Sequence, residues 1–415
     1  MQLRPFTGTY LTDPGVVWRE LLHAPADVHF ADDLGLWLIS RHEHVRRAFA
    51  NAEAFSSALT LAPVYEMCPE ALAVVARLDV PPTTAAADSP VHVRTRGALR
   101  AIFANTAPRV ADEYGPIVHR RVAELVARIA DRPGGTVDLM PEFATLLPLL
   151  VVVDILGVPE RDVPRIRSWA DEQIALIWGQ PDPSEQVRLA QGLLDFWHYC
   201  QALVARRTAE GATGDDFVSR ALRHRAGDNT VLSTAEVASM AFNLLVAGHE
   251  TTAGLLAHGL DRALSEPGRW ARIAANPDEV PAYLDEVLRF GPAIDGWLRV
   301  TRLPVTIGGV TIPAGARCLL LIGAANRDPA AFADPDRFNP ARTARRGHLS
   351  FGYGPHFCIG AALARLEARV ALVRLAEAMP ELRLAPGHQS RFKPNLAFRS
   401  HRTLLVTKPR SSQRT

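Results

Sequence analysis

The sequence predicts a mainly α-helical fold with a small β region, and three observations carry that prediction. Ala, Leu, Arg and Glu dominate long stretches in which apolar residues recur at three- and four-residue spacing. Strand-like runs are few and short. No internal repeat and no low-complexity linker divides the chain.

In chain order, Leu36-Trp37-Leu38-Ile39 reads as the first strand. Pro-rich breaks at 80–90 and 180–184 read as loops within one fold. Helical periodicity covers 110–131, 185–208, 234–265 and 359–378. The stretch LLPLLVVVDILGVP at 146–159 contains Pro148 and Asp154 and is too short to span a bilayer, so it reads as a buried core helix. Ser233 and Glu236 form a capping box that opens the helix at 234–265. Residues 304–315 read as a hairpin turning at Gly308-Gly309, followed by a strand over 317–322. The tail at 411–415 is expected to be disordered.

Length alone, at 415 residues, would suggest two or three domains, yet no boundary is visible. The 46 basic and 44 acidic residues nearly balance, which gives no support for nucleic acid as a bulk partner. Cys68, Cys200, Cys318 and Cys358 include no CxxC pair, which speaks against a zinc ribbon and for a reducing cytosol. The N-terminal residues hold no apolar run of signal or anchor type, so the expectation is a soluble, cytoplasmic protein without membrane contact.

The densest chemistry lies in FGYGPHFCIG at 351–360. Gly352 and Gly354 permit a tight path with positive φ. Cys358 then stands at the start of a strong helix pattern, where the dipole and free backbone N–H groups favour a thiolate. Gly360 removes a side chain where a flat cofactor could approach the backbone. Taken alone, such a pattern more often marks a Gly-rich turn around a small buried hydrophobe. The whole segment, however, resembles the cytochrome P-450 signature F-G-x-G-x-H-x-C-x-G at each fixed position: Phe351, Gly352, Gly354, His356, Cys358 and Gly360.

Further segments extend the resemblance over nearly the whole chain. Glu286 and Arg289 in DEVLRF are three apart on one helix face and can pair. In the family this pair is buried and braces the cysteine loop, and DPDRFNPAR at 334–342 resembles the segment that completes the brace. AGHETT at 247–252 resembles the place where the family's long helix kinks over the haem, with Glu250 and Thr251 as the acid–alcohol pair that delivers protons. His249-Glu250 does not begin a zinc site, because Ala253 stands where HExxH needs its second histidine. DSPVHVRTR at 88–96 resembles the D-P-P-x-H-x-x-x-R segment, with Ser89 in place of a proline. His92 and Arg96, one turn apart, would there bind a haem propionate together with Arg299 and His356.

The resemblance thus implies the cytochrome P-450 fold, a single triangular domain over 1–410 with a long central helix over the haem. It implies a haem-thiolate monooxygenase with haem b (iron protoporphyrin IX), Cys358 as the axial iron ligand, and Ala247, Gly248 and Gly360 beside the cofactor. Dioxygen would be the co-substrate. No reductase segment accompanies these residues, so electrons would come from NAD(P)H through a ferredoxin reductase and a ferredoxin, with the enzyme itself a monomer. The expected reaction is hydroxylation or epoxidation of a small molecule in natural-product or antibiotic biosynthesis. The alternative is the same fold catalysing oxidative coupling or peroxide-driven oxidation.

Asn243, Ala247 and Thr251 share one helix face, and Asn243, Asp295 or both are expected to read a polar group on the substrate. Val246, Ala247, Ile294, Asp295 and Trp297 complete the expected pocket. The bland readings are that Asn243 bonds a backbone carbonyl and that Asp295 caps a turn facing away. Arg345, Arg346, Arg365 and Arg369 flank the cysteine loop and suggest a basic patch for an acidic ferredoxin, or a scattered solvated surface.

Overall fold

The computed structural model describes residues 3–6, 8–342 and 347–408, so the tail at 411–415 lies outside the described residues. Helices dominate. The periodic stretches appear as Pro183–Ala209 and Ala361–Ala378, and the apolar stretch as Leu146–Leu156, buried except at Leu146 and Asp154. Asp154 is tolerated in so apolar a helix because Arg121 Nε donates to its carboxylate at 2.7 Å.

Two long periodic stretches are divided. The 110–131 stretch becomes Ala107–Glu113 and Gly115–Ala130, because Pro116 has no N–H to give the preceding turn and suits only a helix start. The 234–265 stretch becomes Thr234–Ala247 and Glu250–Ser265. Its capping box forms in both directions, Glu236 N to Ser233 Oγ at 3.1 Å and Ser233 N to Glu236 Oε2 at 2.8 Å. Other helices include Val91–Ile102, Val163–Trp178 and Val280–Phe290.

Among the described residues the β region holds ten short strands: β1 Val28–Ala31, β2 Leu36–Ile39, β3 Phe55–Ser56, β4 Gly135–Asp138, β5 Trp297–Thr301, β6 Val305–Ile307, β7 Val310–Ile312, β8 Arg317–Leu320, β9 Arg383–Leu384 and β10 Leu405–Lys408. A five-stranded sheet runs β1-β2-β8-β5-β3, with β2 and β8 parallel and the other pairs antiparallel. Its register sets Arg299 of β5 opposite Cys318 of β8. The hairpin β6–β7 turns at Gly308-Gly309 as expected, and β4-β10-β9 form a third sheet. The strand expected over 317–322 stops at Leu320, and Ile322–Ala325 turns into a helix whose carbonyl at Ile322 takes the N–H of Asn326.

The largest apolar core lies among the helices and includes Leu150, Val152, Phe196, Leu245, Leu256, Leu284 and Leu372. No described helix is long and apolar enough to cross a membrane.

Candidate active site

The cysteine loop is set by its glycines. Gly354 has φ +73°, and a Cβ there would come 3.0 Å from the backbone of Phe49 and Ala50, so only glycine lets the loop lie on the end of helix His42–Ala50. Cys358 N donates to Phe351 O at 2.9 Å and closes the loop. Cys358 carries a free thiol and is exposed. Burial pushes its thiol up, while the backbone N–H groups of Gly360 and Ala361 and the guanidinium groups of Arg96 and Arg365 act the other way. The Cβ direction at Gly360 is open, with Cys358 Sγ at 3.9 Å as the nearest neighbour.

Beside the loop, four basic side chains meet with little counter-charge. The rings of His92 and His356 lie 4.0 Å apart. Arg96 donates to the carbonyl of Phe357. Arg299, 3% exposed, donates to Thr60 Oγ1 at 3.0 Å and to Leu298 O. Burial and the neighbouring cations push His356 down to about 3, and burial, opposed by Asp88, pushes Arg299 down to about 10. Burial and Arg96 likewise hold His92 below its usual value. Asp88 is the carboxylate facing them, but it is engaged by Ser56, Ser57 and Arg302. His92 Nε2 and Arg96 Nε are buried without a partner. Orphaned donors in an electropositive recess next to a thiol call for an anionic ligand, and the two carboxylates of a haem match that donor set.

Behind the loop, Glu286 and Arg289 are 4% and 2% exposed and joined by two bonds of 2.8 Å. Arg289 also donates to the carbonyls of Asn326, Pro335 and Arg337, and Glu286 Oε1 accepts from Asn339 N at 2.8 Å. Asn326 carries the link onward through Leu349 N and Ser350 Oγ, directly before the cysteine loop. Every charge in this brace has partners, which makes its burial tolerable.

The central helix breaks at Gly248-His249 because side chains capture its carbonyls. Thr251 Oγ1 donates to Ala247 O at 3.0 Å, and His249 Nδ1 bonds Leu245 O at 2.6 Å. Around the break, Ala247 is exposed and Asn243, Val246 and Thr251 are half-buried, while Leu244, Leu245 and Thr252 are buried. The expected shared face is therefore an open one inside a packed helix. Asn243 is half-buried on that face, within helix Thr234–Ala247. Glu250, 5% exposed, accepts from Ser400 Oγ at 2.7 Å, with Lys393 Nζ 3.8 Å away.

Several expected residues find specific neighbours. A Cβ at Gly248 would come 2.9 Å from Val152 Cγ2 and 2.7 Å from Leu244 O, so that side of the glycine packs on helix Leu146–Leu156. Asp295 was expected in the substrate pocket. Its backbone is fixed by Ala397 O and Gly323 N, and the residue lines a separate cleft of about 280 Å³ with Trp18, Arg327 and Arg399. Neither Cys358 nor Asn243 lines that cleft. The proximal arginines are partly neutralised: Arg365 pairs with Asp285 at 3.1 Å, and Arg369 lies 3.9 Å from Asp278. Arg345 and Arg346 lie outside the described residues. Ile294 bridges to Phe398, and Trp297 stacks on Trp178 with ring centres 5.6 Å apart. Sequence reasoning missed Ser57, which bonds His356 at 3.1 Å, as well as Thr60, Ser400 and Lys393.

A cysteine at a helix start, an electropositive recess for two carboxylates and a broken helix bearing an acid and an alcohol together define a haem-thiolate site. Comparison with known proteins agrees. The family model described as Cytochrome P450 matches residues 280–409. Cytochrome P450 107B1 of Saccharopolyspora erythraea is 35% identical over 86% of this chain and 85% of its own length. The 6-deoxyerythronolide B hydroxylase of the same organism is 36% identical over 72% of this chain and 70% of its own length. The structure of cytochrome P450 CREJ in complex with (4-ethylphenyl) dihydrogen phosphate matches with a TM-score of 0.91, at 31% identity over 98% of both chains. The chain belongs to the cytochrome P450 family, and it is an oxidoreductase that incorporates oxygen. Family membership brings haem, dioxygen and electrons from redox partners.

Proposed function

We propose that residues 1–410 form one domain that hydroxylates or epoxidises a small organic molecule of secondary metabolism, with Cys358 as the axial ligand of haem b. The observation that carries this reading is the Cys358 sulfur facing two backbone N–H groups beside the unpartnered donors of His92 and Arg96. Haem held by this thiolate would supply the oxygen-activating chemistry. Hydrogen bonds from Gly360 and Ala361 temper the donation of the sulfur. His92, Arg96, Arg299 and His356 hold the propionates, and Glu286–Arg289 fixes the loop. Ala247 and Gly360 leave room for the flat face.

Glu250 collects protons from the solvent side and passes them to Thr251, whose hydroxyl sits on the open face of the helix. Val246, Ala247, Ile294 and Trp297 offer apolar walls to a substrate, and Asn243 reads one polar group on it. The family relative named for hydroxylating 6-deoxyerythronolide B supports a natural-product substrate. Electrons come from NAD(P)H through a ferredoxin reductase and a ferredoxin to a cytoplasmic monomer.

The reduced carbon monoxide complex tests the ligand. It should show the strongly red-shifted Soret band of thiolate ligation, and Cys358→Ser should abolish it. Persistence of the band in that variant overturns the assignment. Product formation driven by NAD(P)H with a surrogate ferredoxin, and absent with peroxide alone, tests the electron route.

A further inference from the structure

The cleft of about 280 Å³ that holds Asp295 is distinct from the haem site, for none of Cys358, Asn243, Glu250 and Thr251 lines it. Three distant parts of the chain form its aromatic walls. Trp18 comes from helix Pro14–His23, Phe290 and Phe338 from helix Val280–Phe290 and the brace segment beyond it, and Phe392 from residues 392–401. That last segment is a paired arm, in which Lys393 N donates to Ser400 O at 2.9 Å and Phe392 bridges to His401. The volume lies just below that of ordinary small-molecule pockets, roughly 300–1,000 Å³.

The cations at these walls are already engaged. Arg399 donates to the carbonyls of Tyr10, Leu11 and Thr12. Arg327 donates to Phe290 O and to Asp336. Arg262 lies over the rings of Phe290 and Phe338, 4.6 and 5.0 Å from their centres. His258 has one ring nitrogen on Gly291 O and the other on Arg399 O.

The acceptors are engaged unevenly. Asp261 takes the hydroxyl of Ser390 at 2.8 Å and is flanked by His388 and His401 at 3.7 and 3.6 Å. Asp13, at the exposed rim, accepts from Gly15 N at 3.1 Å through Oδ1. Asp295 is 2% exposed, and its Oδ1 has no hydrogen-bond partner among the described residues. His401 Nδ1, equally buried, is also without one. Arg399 and Arg327 pull on the Asp295 charge but do not bond it, and burial prevails over them. A buried acceptor beside open volume calls for a donor, and a charged donor is the strongest match for a carboxylate.

We propose that this cleft is a second ligand site, built for a small aromatic cation of amidinium or ammonium type. The N–H groups of the ligand bond Asp295, its ring lies among Trp18, Phe338 and Phe392, and Asp13 adds a second negative charge at the rim. An occupant would tie the N-terminal helix and the arm to the helix that carries Glu286 and Arg289.

Isothermal titration of the ferric holoenzyme with benzamidine tests the site. At about pH 8, above the value of about 7 to which burial raises the Asp295 carboxyl, the dissociation constant should be on the order of 1 mM or below. Benzamide, its neutral isostere, should bind about tenfold more weakly, and benzoate more weakly still. Asp295→Asn should weaken benzamidine about tenfold or more. Asp13→Asn, which keeps the oxygen that caps Gly15, should weaken it about twofold. The Soret band should stay in place throughout. The reduced carbon monoxide band checks that both variants keep the haem site, and Asp13→Asn decides alone if Asp295→Asn fails that check. Unchanged affinity in the variants, tighter binding of benzoate, or no detectable binding of benzamidine overturns the site. So does binding that shifts the Soret band and is displaced by 4-phenylimidazole, because the amidine would then lie over the haem.

Discussion

Glu286 and Asp295 are close in sequence and equally buried, at 4% and 2% exposed, yet the molecule treats them in opposite ways. Glu286 receives two bonds from Arg289, one from Asn339 N and a further contact from Arg342. Asp295 Oδ1 has no partner. The two arginines near Asp295 are committed elsewhere, Arg399 to the carbonyls of Tyr10, Leu11 and Thr12, and Arg327 to Phe290 O and Asp336. Burial therefore pushes the Asp295 carboxyl up to about 7, with Arg399 and Arg327 opposing. Partners, not burial, decide whether a carboxylate becomes part of a frame or a group that titrates. Glu250 lies between these extremes, firmly bonded by Ser400 and only loosely by Lys393.

The sharpest way to break this contrast is to strip the frame. Arg289→Ala leaves Glu286 buried without its guanidinium partner, which should cost about 3–5 kcal/mol in denaturant unfolding and abolish haem loading. Asp295 should behave in the reverse sense. Its folded carboxyl binds a proton that the unfolded chain has already lost between about pH 4 and 7, so stability falls as pH rises through that window and levels above it. Asp295→Asn should remove the slope and make the protein more stable at pH 8, by on the order of 2–4 kcal/mol. Equal pH profiles for the two proteins would contradict the geometry around Oδ1.

Smaller effects separate the moving parts from the frame. Thr251→Ala should keep reductant consumption but lose product roughly 10²-fold, with peroxide released in its place. Full coupling in that variant would remove Thr251 from the relay. Asn243→Leu should weaken spectral binding of a confirmed polar substrate by about 1 kcal/mol and leave unfolding unchanged. Tighter binding of the same substrate would show that Asn243 does not read its polar group.

What the sequence made legible follows from the reach of its signals. The Glu286–Arg289 pair could be read from i,i+3 spacing, and the glycines of the cysteine loop from the positive φ that Gly352 and Gly354 indeed adopt. The helix break was half visible: Gly248 and the threonines weaken that turn, but the bond from His249 to Leu245 O needs the folded helix. Asp295 was misplaced because its direction is set by backbone bonds to Ala397 and Gly323, which no local pattern encodes. The arm bearing Lys393 and Ser400 was invisible for the same reason. Its partner Glu250 is far away in the chain, and neither residue belongs to a periodic stretch.

The ammonium of Lys393 also decides how the protein can be handled. Reagents that attach proteins to beads or electrodes through side-chain amines find few targets here, and Lys408 is already held by three carbonyls. Such coupling would fall chiefly on Lys393, converting a cation 3.8 Å from Glu250 into a neutral amide. A surface attachment chosen for convenience would thereby remove a charge beside a buried carboxylate, whereas coupling through carboxylates such as the exposed Asp215 would leave those surroundings untouched.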